Sequence, residues 1–134
     1  MTCTDDELIE HAVAIRDRAY APYSKFRVGA AILDENDTVH VGCNVENAAY
    51  PLGSCAEASA ISVMISKGGT TIKKIAIVGG SQKLESCAPC GGCRQAIAEF
   101  ADDAAKIILK DETGAIRAHS VAELLPLAFR LTPK

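Results

Sequence analysis

Cys55-Ala56-Glu57 and, far downstream, Pro89-Cys90-Gly91-Gly92-Cys93 are the two stretches that the rest of the chain must fold to bring together. Three thiols at these spacings can hold a zinc ion and leave one coordination position open. Structural zinc sites close with four protein ligands, whereas catalytic sites keep a place for water. Glu57, two residues beyond the first thiol, can then handle protons beside the open position. Cys55, Cys90 and Cys93 all fall at the start of a helical pattern. Helix N-termini carry partial positive charge and favour thiolate over thiol. Two helices aiming their N-termini at one point would hold the three sulfurs together.

Working outward, Thr4 and Glu7 form a capping box ahead of an N-terminal helix with Leu8, Ile9, Ala12, Val13 and Ile15 on one face. That helix is expected to fade near Tyr20, because Pro22 disfavours helical geometry at the residue before it. Arg27 to Leu33 reads as a strand, Asp34 to Asp37 as a turn and Val39 to Val45 as the returning strand. A loop over Glu46 to Ser54 leads to a helix from Cys55 to about Lys67, ended by Gly68-Gly69. Ile72 to Val78 is a buried strand stopped by Gly79-Gly80. A helix over Cys90 to Phe100, a strand over Ala105 to Lys110, a turn at Asp111 to Gly114 and a short strand over Ala115 to Ala118 follow. Ser120 caps a last helix carrying Val121, Leu124 and Leu125. This order implies one sheet with helices on its faces.

The 134 residues suit one compact domain, 1–134, with no internal repeat, low-complexity tract or linker. A net charge of −3 argues against a grip on nucleic acid, which needs a basic stripe. No segment approaches the roughly 20 apolar residues of a membrane span. The acidic start, Met1-Thr2-Cys3-Thr4-Asp5-Asp6-Glu7, is not that of a signal peptide. Six cysteines without a secretion signal therefore read as thiols or metal ligands in a reducing cytoplasm.

Two alternatives stand beside the open zinc site. Cys87, Cys90 and Cys93 form C-x-x-C-x-x-C, which also suits an iron–sulfur cluster or a closed site with four thiolates. Ser54-Cys55-Ala56-Glu57 is itself a capping box, so Glu57 could bond back to the Ser54 amide. Pro89 directly before Cys90, and Glu57 two residues after Cys55, favour the catalytic arrangement, since C-x-E paired with P-C-x-x-C is the pattern of zinc nucleobase deaminases. Cys3 and Cys43 have no ligand spacing and read as small hydrophobes. His11, His40 and His119 read as surface or core residues.

Nearly end to end, the chain resembles the cytidine deaminases of the small, homotetrameric, three-cysteine type. Tyr23-Ser24-Lys25-Phe26-Arg27-Val28-Gly29-Ala30-Ala31 is similar to that family's first strand and its lead-in. Cys43-Asn44-Val45-Glu46-Asn47-Ala48-Ala49-Tyr50 resembles its ribose-binding segment, and Cys90-Gly91-Gly92-Cys93-Arg94-Gln95 its second metal motif. Leu124-Leu125-Pro126-Leu127-Ala128-Phe129 resembles its C-terminal, substrate-capping segment. The resemblance implies a three-layer α/β/α sandwich with a five-stranded mixed sheet. It implies one zinc per chain on Cys55, Cys90 and Cys93, and hydrolysis of cytidine and 2′-deoxycytidine to the uridine counterparts and ammonia in pyrimidine salvage. Partners would be the nucleoside and further copies of the chain in a homotetramer, with neither nucleic acid nor membrane.

Residue by residue, Glu57 would be the proton carrier, and the Ala56 carbonyl would accept from the substrate amino group. Phe26 would stack on the pyrimidine. Asn44 and Glu46, two apart at a strand end and so facing one side, would bind the ribose 3′-hydroxyl. Phe129 and Tyr50 would reach a neighbouring subunit's site. The ribose pair counts against a blasticidin-type antibiotic deaminase, which shares the metal motifs but needs no such pair. The chain departs from many three-cysteine members at Ala58, where they carry Arg directly after the catalytic Glu. Three thiolates leave zinc with excess negative charge, so Arg94 and the two helix N-termini are expected to supply the electrostatic support.

Overall fold

The computed structural model describes residues 3–131. Its elements are α1 (Asp5–Arg16), β1 (Arg27–Asp34), β2 (Val39–Cys43), a 3-10 turn (Tyr50–Leu52), α2 (Ala56–Ser66), β3 (Ile72–Gly80), α3 (Gly91–Phe100), β4 (Ala101–Lys110), β5 (Ile116–His119) and α4 (Val121–Leu124). The strands form one sheet in the order β2-β1-β3-β4-β5. β3 and β4 are parallel, joined by α3, and the other neighbours are antiparallel. The expected five-stranded mixed sheet is therefore observed.

Alternation along the strands divides the core into two layers. Ala31, Leu33, Ala76, Val78 and Ile108 face α1 through Leu8, Ile9 and Ala12. Ala30, Ile32, Ile75, Ile77 and Ile107 face the other way, against Ala56, Ala60, Ile61 and Met64 of α2 and Ile97 of α3. This is the three-layer α/β/α arrangement. It puts α2 and α3, the two cysteine-bearing helices, on the same face. Gly42 lets α2 lie directly on β2: a Cβ there would stand 2.4 Å from the Ala60 amide nitrogen.

Several boundaries move for identifiable reasons. α1 forms its capping box at Thr4 as expected, but stops at Arg16, short of Tyr20. Tyr20 instead exchanges backbone hydrogen bonds with Asn44 and Glu46, accepting from the Glu46 amide at 2.8 Å. β2 stops at Cys43, not Val45, because the Asn44 side chain takes over the ladder: its Oδ1 accepts from the Val28 amide at 2.8 Å and its Nδ2 donates to the Phe26 carbonyl at 2.9 Å. Gly79 and Gly80 do not stop β3, since they pair with Val28 and Arg27 of β1. β4 starts at Ala101, directly after α3, with a register shift before Lys106 that leaves Asp102 and Asp103 exposed. β5 and α4 fall within a residue of expectation, α4 ending at Leu124.

One buried polar pair holds the β1–β2 hairpin. Asp34 closes β1, and its Oδ1 accepts from the amides of Asn36 and Thr38 at 2.8 and 2.9 Å. His40 Nε2 lies 2.7 Å from Asp34 Oδ2, with both side chains almost wholly buried. Burial works to raise the Asp34 pKa, but the bonds from His40, Thr38 and Asn36 outweigh it and hold the carboxyl below its ordinary value. Its stabilising contribution is thus present above the unfolded carboxylate pKa of about 3.9 and is lost as pH falls through the lower folded value. Asp34→Ala should destabilise the protein by roughly 3 kcal/mol at neutral pH, since it orphans a buried donor. In denaturant titrations the gap between parent and variant should narrow below about pH 4.

Candidate active site

Cys55 is the N-cap of α2 and Cys90 the N-cap of α3. Cys93, one turn into α3, is buried, and its amide donates to Cys90 Sγ at 3.4 Å. The three Sγ atoms lie within 4.8 Å of one another. That is close to the roughly 3.8 Å that a tetrahedral zinc with sulfurs at about 2.3 Å requires. Cys87 is not part of the group. It is half-buried beside Gly79 and Phe26, and burial pushes its thiol up to about 11. The four-thiolate alternative therefore has no support in the geometry.

The charges in this cluster oppose one another. The Cys93 amide holds the Cys90 thiol below its ordinary value. Burial raises Cys55, and burial together with the Glu57 carboxyl raises Cys93. Three thiolates here would repel each other and the carboxylate beside them. A divalent cation offsets that repulsion, and this is the chemistry of a metal site. A soft, all-sulfur set of three fits zinc with one position free.

Glu57 is 4% exposed, although it lies in the first turn of a helix. The alternative capping bond to the Ser54 amide does not form. The N-cap is one residue later, at Cys55, and the Ser54 amide donates to the Val45 carbonyl at 2.9 Å. Burial raises the Glu57 pKa, while its own amide and the Cys93 thiol pull the other way. Among the described residues no cationic side chain pairs with this nearly buried carboxyl.

The cleft above has a volume of about 610 Å³. Cys55, Ala56, Glu57, Cys87 and Cys90 line its metal end, with Phe26 and Val28 beside them and Asn44, Glu46 and Tyr50 also in the wall. Glu46 is tied down: its Oε1 accepts from the amides of Tyr23 and Ser24 at 3.0 and 3.1 Å, and Ser24 Oγ donates to its Oε2. The Ser24 hydroxyl is the main reason its carboxyl sits below the ordinary range. Asn44 uses one donor and one lone pair on the backbone of β1 and its lead-in, leaving one donor and one lone pair for a ligand. Tyr23 and Tyr50 meet edge-on at the rim, with ring centroids 6.3 Å apart.

Phe129, expected to reach a neighbouring subunit's site, and Arg94, expected to support the metal, do not line this cleft. Phe129 is 67% exposed. Arg94 donates from Nε to the Pro89 carbonyl at 2.7 Å and from Nη1 to the Leu124 carbonyl at 2.9 Å. Sequence reasoning gave no role to Ser24 and considered Cys87 only as an alternative metal ligand; their contacts, to Glu46 and to Gly79 with Phe26, are made across distant segments. Tyr23-Ser24 preceding Phe26 was the one local signal.

A family model described as "Cytidine and deoxycytidylate deaminase zinc-binding region" matches residues 2–109. The chain belongs to this deaminase family. A cytidine deaminase of Sporosarcina psychrophila is 44% identical over 92% of this chain and 90% of its own length. One of Halalkalibacterium halodurans is 42% identical over 91% of each. The crystal structure of a cytidine deaminase from Burkholderia pseudomallei superposes with a TM-score of 0.86 at 42% identity, covering 94% of this chain and 99% of that one. The deaminase-family fold and its zinc cofactor therefore stand on both the comparisons and the three-thiol cluster. Among the described residues, no helix is long and apolar enough to cross a membrane.

Replacing Cys55, Cys90 or Cys93 singly by Ala should each abolish zinc retention after gel filtration, as read by elemental analysis. Cys87→Ala should keep one zinc per chain, because a fourth thiolate would occupy the open position.

Proposed function

We propose that this protein hydrolyses cytidine and 2′-deoxycytidine to uridine and 2′-deoxyuridine with release of ammonia. The observation that carries this reading is the buried Glu57 carboxyl, set against three clustered thiols in a cleft whose wall also holds the polar side chains of Asn44 and Glu46. Cys55, Cys90 and Cys93 would hold the zinc, which when bound supplies a water of lowered pKa, toward about 7.

The remaining work falls to the chain's own side chains. Phe26 offers its ring to one face of the pyrimidine. Asn44 and Glu46 present donor and acceptor capacity side by side to the 3′-hydroxyl, and the bonds from Ser24 and Tyr23 fix Glu46 beforehand. Such prior fixing lowers the ordering cost of binding. The Ala56 carbonyl accepts from the exocyclic amino group and sets the base so that C4 faces the metal end. Glu57 takes a proton from the attacking water and delivers it to N3, which makes C4 more electrophilic. It then takes the remaining proton of the hydroxyl added at C4 and gives it to the exocyclic nitrogen, so that C4 becomes a carbonyl as the C4–N bond breaks and ammonia leaves. The atoms balance as water added and ammonia released.

The reading extends to assembly and location. Tyr50 and Phe129 are 77% and 67% exposed, as side chains that complete a neighbouring site in a homotetramer would be in an isolated chain. The six unpaired cysteines suit a cytoplasmic enzyme of pyrimidine salvage. Arg94 is read as electrostatic support at one remove, through the two carbonyls it engages.

Ammonia release from a nucleoside panel tests the activity. Cytidine and 2′-deoxycytidine should turn over, and adenosine should not. Glu57→Gln should retain zinc and fold while losing kcat by about 10²–10⁴-fold, the range for a general acid–base group. Near-normal turnover in the zinc-loaded variant would remove Glu57 from the chemistry and with it this reading.

A further inference from the structure

The segment that delivers Cys90 to the site is thinly held. β3 hands over to residues 81–85, which are fastened by Arg16 to the Gly80 and Ser81 carbonyls, by the Glu85 amide to the Gly79 carbonyl and by the Ser81 amide to Glu85. Beyond Glu85, among the described residues, one hydrogen bond reaches segment 86–89. It is the bond from Arg94 Nε to the Pro89 carbonyl, at 2.7 Å. The same guanidinium gives Nη1 to the Leu124 carbonyl at 2.9 Å, where the C-terminal segment begins. No carboxylate pairs with Arg94 among the described residues. Its planar fork is therefore given to two carbonyls from distant parts of the chain, a geometric task for which guanidinium is suited and ammonium is not.

The C-terminal segment needs such fastening. α4 has no fully buried residue. Val121 and Leu124 touch the core only partly. Beyond Leu124 the chain is held to α3 by two further side-chain bonds, Gln95 Nε2 to the Phe129 carbonyl at 2.8 Å and Arg130 Nη1 to the Ala98 carbonyl at 2.9 Å.

We propose that Arg94 is a positioning residue that couples the C-terminal segment to zinc retention. It joins the peptide just ahead of Cys90 to the Leu124 carbonyl, so that seating residues 124–130 on α3 also fixes where Cys90 and α3 present their thiols. This rests on the zinc reading but not on the deamination step, because each readout below is independent of turnover.

Two measurements are made on the zinc-loaded protein: the rate of zinc transfer to a colorimetric chelator, and amide hydrogen exchange across residues 124–130. Arg94→Gln should speed zinc transfer by about 10–100-fold, the cost typical of removing a group that orients a metal ligand. In the same variant, exchange across 124–130 should accelerate. Arg94→Lys should show most of both effects, since it keeps the charge and loses the fork. Gln95→Ala, which removes only an exposed bond to the Phe129 carbonyl, should loosen the C-terminal segment and speed zinc transfer to a smaller degree. It decides the matter if the Arg94 variants fail to fold. Parent-like zinc transfer in Arg94→Lys would show that charge alone matters and overturn the proposal. So would a loosened segment with unchanged zinc transfer in Gln95→Ala. A chain that retains zinc and shows the coupling but releases no ammonia from cytidine would defeat the proposed activity and leave this inference standing. A chain that takes up no zinc would overturn it.

Discussion

Everything at the site depends on two helix N-termini converging on one point. Cys55 and Cys90 cap α2 and α3, and both helices pack on the same face of one sheet. The parallel pairing of β3 with β4 makes α3 a crossover that returns over that face. The close seat of α2 against Gly42 fixes the other partner. Helix ends expose unpaired amides and a partial positive charge. The fold thus brings three sulfurs together where positive potential is already present, and Glu57 follows because it lies in the first turn of α2. Moving either helix by one turn would separate the thiols by about 5 Å, more than a shared ion allows.

The same arrangement explains how the site stays sharply polar at one end and adaptable at the other. Near the metal end, burial raises Glu57, Cys55 and Cys93 and leaves their charge unmet without a cation. At the rim, Glu46 and Asn44 are already bonded to the segment that carries Phe26. Asn44, Glu46 and the Phe26 backbone are thereby parts of one stitched unit. Displacing Glu46 would disturb Phe26 through Ser24, whose Oγ also accepts from the Phe26 amide at 3.0 Å. Arg94, in the position expected to balance the excess charge left by Ala58, directs its donors to Pro89 and Leu124. The helix N-termini are the positive groups that the fold sets directly against the thiols.

Much of this was readable before the structure, and what was not has a common cause. The metal motifs, the helices that bear them and the alternation of β1 and β3 are local, so spacing and period disclose them. Errors came where a distant group replaced a local one. β2 ends early because the Asn44 amide bonds to β1, and β3 runs on because Gly79 and Gly80 find partners there. The alternative capping role of Glu57 is not taken up, since the Ser54 amide is used by Val45. His40 was read as a surface or core residue, but nothing in its neighbours announces that Asp34 would receive it. Arg94 lies within the motif, yet its two partners are set by how the C-terminal segment docks.

The coordination of the bound metal is the most direct test of the account, and zinc K-edge X-ray absorption on the zinc-loaded protein measures it. Three thiolates and an open position should give three sulfur scatterers at about 2.3 Å and one oxygen or nitrogen at about 2.0–2.2 Å. A shell of four sulfurs would mean that Cys87 closes the site, leaving no place for water. That result would contradict the structure's central arrangement and the chemistry built on it.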